Sequence, residues 1–217
     1  MKIISKVFCS TALLQSVLLF TACNSNGKKE ADLLKKNTVK TAIKKAIKPL
    51  PNVKYQRPPI VNIVDTLSTK KIIIYCKDSA AMFDRISLKL GKIYGIKLAD
   101  YIKKNNLKVT GSPMAWYTKF KAPYFFEAGI PVNKKGGKAL PGVLQRELNA
   151  GKVVIAHFYG PYDLISQGYD AIKEWMKDNK KISAGIPYEI YVTDPVDKSG
   201  KPVDPYKVQT DIVFPVR

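Results

Sequence analysis

The chain has 217 residues, 46% of them hydrophobic and 25% charged, enough apolar material to bury a core in one or two domains. Thirty-seven lysines and arginines against 17 acids give a formal net charge of +20, which favours anionic surfaces (nucleic acid, phospholipid, lipopolysaccharide) without choosing among them. One histidine and three scattered cysteines exclude a Cys/His metal cluster, and no phosphate-binding loop or nucleophile elbow is present, so no metal and no cofactor is expected.

The first 22 residues read as a signal peptide: Lys2 and Lys6, an apolar core around Leu13 to Phe20, then Thr21-Ala22 before Cys23. The small residues ahead of Cys23 resemble a bacterial lipobox. That resemblance implies cleavage before Cys23, lipidation there, and a lipid-anchored protein of the bacterial cell envelope. The apolar stretch is short for a membrane span. Cys9 would leave with the signal, so Cys76 would be the one free thiol, with no disulfide partner.

Residues 23–59 form the predicted tether. Asn24 to Glu30 is polar. Ala31 to Lys48 places Leu34, Val39, Ile43 and Ile47 near one helical face among lysines, a pattern suited to an anionic bilayer or to a solvated stalk. Pro49, Pro51, Pro58 and Pro59 stiffen the link. The folded domain is expected over 60–217.

Within it, Ile60 to Cys76 is β-rich, a bent strand or a hairpin broken at Ser68-Thr69. Asp78 could cap a helix from Ser79 to about Asn106, broken or bent at Gly91 and Gly95. Strands are predicted at Pro113 to Phe120 and Pro123 to Val132. Val143 to Leu148 and Lys152 to Tyr159 flank Ala150-Gly151, a hairpin signal. Tyr162 to Asp178 is helical, with Leu164, Ile165, Tyr169, Ile172 and Met176 at three- and four-residue spacing. Tyr188 to Val192 and Val208 to Val216 are the last strands. The loop between them holds Asp194, Asp197 and Asp204, without calcium-loop spacing.

An internal repeat underlies this order. Shifted by 74 positions, Lys103, Asn105, Gly111, Pro113 and Tyr117 fall on Lys177, Asn179, Gly185, Pro187 and Tyr191. The expected fold is α+β: two pseudo-symmetric strand-helix-strand-strand repeats, 60–132 and 139–217, forming one domain with a central cleft. Strand alternation puts Glu189 and Tyr191 on one face and Tyr188, Ile190 and Val192 on the other, the face expected to meet the helix. Trp116 is likewise expected to face the helices, and His157 to be a satisfied strand histidine.

Taken in order, Leu140-Pro141-Gly142, Gly160-Pro161-Tyr162, the run Pro187 to Pro195 and the run Thr210 to Val216 resemble the GyrI-like small-molecule-binding domain, which is also the effector-binding domain of AraC-type and multidrug-sensing regulators. The resemblance is strongest over 139–217 and weaker over 60–132. It implies a cleft between two units, with a glutamate at the position of Glu189 ringed by aromatics. It carries over Tyr162 and Phe158 as flanking residues, although many members have a histidine near Phe158. Tyr117, Tyr191 and Phe125 complete the expected ligand-binding set. The first repeat has Ala115 where the second has Glu189.

The helix-turn-helix of the family's regulators has no room in residues 24–59, and export would remove the protein from the chromosome, so no nucleic-acid partner is expected. Two classes remain. One is a membrane-anchored protein binding an amphipathic, possibly cationic small molecule. The other is a hydrolase of small electrophiles, with Glu189 as general base assisted by Tyr191 or Tyr117.

Overall fold

The computed structural model describes residues 57–217 apart from Phe120. The signal peptide, Cys23, the basic arm and most of the proline-rich link lie outside the described residues. No helix among the described residues is long and apolar enough to cross a membrane.

Among the described residues, eight strands form one antiparallel sheet. Strands β1 (Ile60–Ser68) and β2 (Lys71–Ala80) lead into a helical run: α1 (Asp84–Lys92), a π-helical turn (Ile93–Leu98) and α2 (Ala99–Asn105). Then come β3 (Met114–Lys119), β4 (Tyr124–Val132), β5 (Leu144–Leu148) and β6 (Gly151–Tyr159). A 3-10 turn (Tyr162–Leu164) opens α3 (Ile165–Asp178), which precedes β7 (Tyr188–Tyr191) and β8 (Gln209–Pro215). The helix begins at Asp84 rather than Ser79. Asp78 does not cap it; the residue is still in β2, and its carboxylate takes a hydrogen bond from the Lys89 ammonium at 2.8 Å. Gly91 and Gly95 do not break the helical run, which widens to the π form over Ile93–Leu98.

The strand order is β1-β6-β8-β7-β3-β4-β2-β5, a palindrome of the two repeats. Its centre is the β3–β7 pair, where Ala115 lies directly opposite Glu189. These are equivalent positions, so the pseudo-two-fold axis passes between them. Local details repeat too. Asn106 and Lys180 both take left-handed backbone after their helices, with φ of 49° and 53°. The Asn105 and Asn179 side chains each donate to the carbonyl four residues back, Tyr101 and Trp175. Gly111 and Gly185 lie against Pro131 and Pro215, where an added Cβ would come within 3.4 and 3.3 Å of the proline rings.

The hairpin expected between Val143–Leu148 and Lys152–Tyr159 does not form. β5 pairs with β2, and β6 pairs with β1 and β8. In a flat sheet the six spacings between β1 and β2 would be about 29 Å, whereas the link from Ser68 to Lys71 reaches only about 10 Å. The sheet therefore curls until these ends meet. Ser68 pairs with Gly151 and Lys71 with Leu148, side by side. Residues 60–80 are a bent strand that starts in one half-sheet and ends in the other, and 144–159 mirror them.

The curl explains a second correction. The helices pack on one face over two cores, one around Ile74, Leu98, Tyr101 and Phe126, the other around Val154, Phe158, Ile172 and Ile212. The opposite face closes on itself around a third core of Ile73, Met114, Trp116, Val153, Tyr188 and Val213. Trp116, Tyr188 and Ile190 thus face away from the helices. The helix-covered face carries Ala115, Tyr117, Glu189 and Tyr191. Both sheet faces bury apolar side chains, each worth about 1.5–3 kcal/mol when fully buried, so alternation alone does not reveal which face meets the helix.

Candidate ligand-binding site

β7 places Glu189 on the helix-covered face at the middle of the sheet, with 1% of its surface exposed. Its neighbour across the axis, Ala115, is small and leaves room for the carboxylate. Three tyrosine hydroxyls donate to that carboxylate. Tyr162, from the turn before α3, reaches Oε2 at 2.6 Å. Tyr191, two residues along β7, reaches Oε2 at 3.0 Å. Tyr169, on α3, reaches Oε1 at 3.0 Å. Tyr117, the repeat-equivalent of Tyr191, has its hydroxyl 2.9 Å from that of Tyr191 and 3.1 Å from that of Tyr162.

Close packing of α3 makes this reach possible. A Cβ on Gly168 would lie 2.7 Å from Ile212 Cδ1 and 2.9 Å from Phe158 Cδ2, so only glycine lets the helix sit so near the sheet. The π-helical turn supplies Tyr94, whose hydroxyl donates to the Met114 carbonyl at 2.7 Å while its ring meets Tyr191 edge-on.

The carboxylate and the rings around it line a cavity of about 430 Å³. Phe83, Tyr117, Tyr124, Tyr162, Tyr169 and Phe214 give it aromatic walls. Phe83 stacks on Tyr162 with centroids 5.9 Å apart and also meets Tyr124 edge-on. The mouth carries Asp163 and Asp170, with Lys173 3.7 Å from Asp170. In a strongly basic chain, the cavity lining holds three carboxyl groups and one ammonium. Among the described residues Glu189 makes no ion pair.

Burial pushes the Glu189 carboxyl above its ordinary range, and the three hydroxyl donors pull it part of the way back. Burial, and then the neighbouring carboxylate, hold the Tyr162, Tyr169 and Tyr191 hydroxyls well above the usual tyrosine value. They are held as neutral hydroxyls. Among the described residues no group of three His, Cys, Asp or Glu side chains could hold a metal.

The structure thus brings Glu189, Tyr191, Tyr117 and Tyr162 together. Phe158 lies elsewhere, fully buried under α3 in the core beside Gly168. Phe125 is 47% exposed, its ring 5.9 Å from the Lys119 ammonium, and does not line the cavity. Cys23 is outside the described residues. His157 hydrogen-bonds to Asp211 at 2.7 Å. Sequence reasoning missed Tyr169, Phe83 and Tyr124. Tyr169 had a signal: it lies seven residues after Tyr162, on one helical face, and a hydroxyl in an apolar stripe needs a partner.

Comparison with known proteins agrees with this fold. The chain resembles the EcmrR–DNA complex structure at 21% identity and a TM-score of 0.61, covering 88% of this chain and 66% of that one. It thus spans less than two thirds of that regulator. The EcmrR C-terminal domain matches at 20% identity and a TM-score of 0.60, over 73% of this chain and 98% of that one. A hydrolase from Listeria innocua matches at 13% identity and a TM-score of 0.50, over 82% and 98% of the two chains. At such identities these likenesses establish the fold alone. No curated protein matches. The model of the GyrI-like small molecule binding domain matches residues 96–217, more than half the chain, and the protein belongs to that family.

Proposed function

We propose that the protein captures an amphipathic organic cation in the cavity over Glu189. The carrying observation is a carboxyl group 1% exposed, without an ion-pair partner among the described residues, on the floor of an aromatic cavity. Ring faces attract cations, and the acidic mouth excludes anions. We also read the chain as an envelope lipoprotein anchored through Cys23, a reading supported by residues 1–23 of the sequence. An acyl group on Cys23 in the mass of the mature protein would support it, and an unmodified Cys23 would sink it. No nucleic-acid contact enters this reading.

The test of capture is calorimetric titration with benzyltrimethylammonium and its neutral carbon isostere neopentylbenzene. Glu189→Gln should weaken the cation by about 1–3 kcal/mol more than the isostere, the range for a hydrogen bond to a charged group. Equal losses would mean that Glu189 does not read charge. The same variant separates capture from the hydrolase reading. Turnover of a small epoxide by wild type but not by Glu189→Gln would make Glu189 a general base.

A further inference from the structure

The oxygens around Glu189 can be counted. The two carboxyl oxygens and the hydroxyls of Tyr117, Tyr162, Tyr169 and Tyr191 make five close contacts, at 2.6 to 3.1 Å. Each contact is a hydrogen bond only if one of its two oxygens carries a proton on that line. Four hydroxyls supply four protons. With Glu189 ionised, one contact is left with lone pairs facing each other in a buried site. A fifth proton, on the carboxyl, completes the set. Glu189 then donates to Tyr162 across the shortest contact, Tyr162 to Tyr117, Tyr117 to Tyr191, and Tyr191 and Tyr169 back to the carboxyl.

Among the described residues no cation pairs with Glu189 to do the work of that proton. The charged groups near the cavity are Asp163, Asp170 and Lys173 at its mouth, and Lys173 is engaged with Asp170. From the π-helical turn the nearest titratable group is Tyr94, a neutral hydroxyl committed to a backbone carbonyl.

We infer that Glu189 is protonated before ligand entry and releases its proton when an organic cation binds, so that the site exchanges one proton for one cation. The exchange rests on the capture of cations proposed above. The incoming cation brings one positive charge, and the departing proton carries one to bulk water. The buried site therefore holds no net charge in either state, which removes the cost of an isolated buried carboxylate. The upward push of burial on Glu189 acts in the same direction.

Calorimetry of the wild-type protein with benzyltrimethylammonium, in buffers of different ionisation enthalpy, measures proton release directly. Close to one proton should be released at pH values below the Glu189 titration. Affinity should rise there by up to about tenfold per pH unit, while neopentylbenzene should bind independently of pH. Without ligand, the infrared C=O stretch of a protonated carboxyl should be present in wild type and absent in Glu189→Gln. Two further variants test the count itself. Tyr117→Phe removes two contacts and one proton, leaving three contacts and three hydroxyls, so the titration should move down. Tyr169→Phe removes one contact and one proton, leaving four contacts and three hydroxyls, so it should move up. Cation binding without proton release, absence of the carboxyl band, or shifts of both variants in the same direction would each overturn the inference. Binding of neither probe would overturn cation capture and the exchange with it, and the infrared band would still report the protonation of Glu189.

Discussion

The two repeats share a backbone and differ in chemistry. Across the axis, Ala115 faces Glu189. A polar pair on the helix-free face is also duplicated with different chemistry, Lys77–Glu127 in the first half and His157–Asp211 in the second. An axis through a directly opposed pair explains the first difference. Identical halves carrying glutamate would set two acidic side chains on Cβ atoms about 5 Å apart, in a place with 0–1% exposure. Duplication lets one half keep the acid while the other shrinks to a methyl group and makes room for it. The tyrosines beside them, Tyr117 and Tyr191, stay identical because one hydroxyl can donate to another.

Restoring symmetry at the axis should be the most damaging change. Ala115→Glu places a second acid beside Glu189, which has no ion-pair partner among the described residues, and should cost about 3–5 kcal/mol; denaturant unfolding measures it. Wild-type stability would show that the axis tolerates two acids. Gly168→Ala pushes α3 off the second half-sheet against Ile212 and Phe158. It should cost about 1–3 kcal/mol and weaken cation binding by moving Tyr169 away from the carboxyl.

Glu189→Gln removes the titrating group of the second half. The ordinary glutamate value is 4.5, and the folded value lies above it. Wild type therefore has its full stability below 4.5 and loses stability as pH rises through the folded value. The amide does not titrate, so the variant's melting temperature should overtake that of wild type as pH rises. Parallel curves would place the titration of Glu189 outside that window. The smallest effect belongs to the duplicated pairs. Lys77→Met should change stability by less than about 0.5 kcal/mol, because the ammonium is exposed and Arg146 also holds Glu127. His157→Ala should cost about 1 kcal/mol, since Asp211 keeps only its bond from Gln209. Equal costs would mean the two pairs are interchangeable.

Much of this was legible in the residues. The 74-residue offset located the strands that meet at the axis, and Glu189 stood out as an acid on an apolar strand. Tyr117 and Tyr191 followed from the repeat, and Tyr162 from the resemblance of Gly160-Pro161-Tyr162 to the family. What escaped was set by distant contacts. Ala150-Gly151 carries a local hairpin signal, but the register of β5 and β6 is decided by β2 and β1, far away in sequence. The faces of Trp116 and Tyr188 were inverted because a curled sheet buries both sides. Phe83 was invisible as a site residue, since nothing in its own segment shows that the turn after β2 folds over Tyr162.

The exchanged edge strands have a consequence for how the chain folds. β1 belongs to the first repeat but completes the half-sheet of the second, and β5 does the reverse. Neither repeat alone contains all four strands of its own half. Its residues pair across long loops, Ile60 with Tyr159 and Ser68 with Gly151, so folding should be slow for the domain's size and all-or-none. A cut in the loop between 132 and 139 would produce two fragments that are each unfolded alone and recover the native sheet only on mixing, as two halves of a clasp.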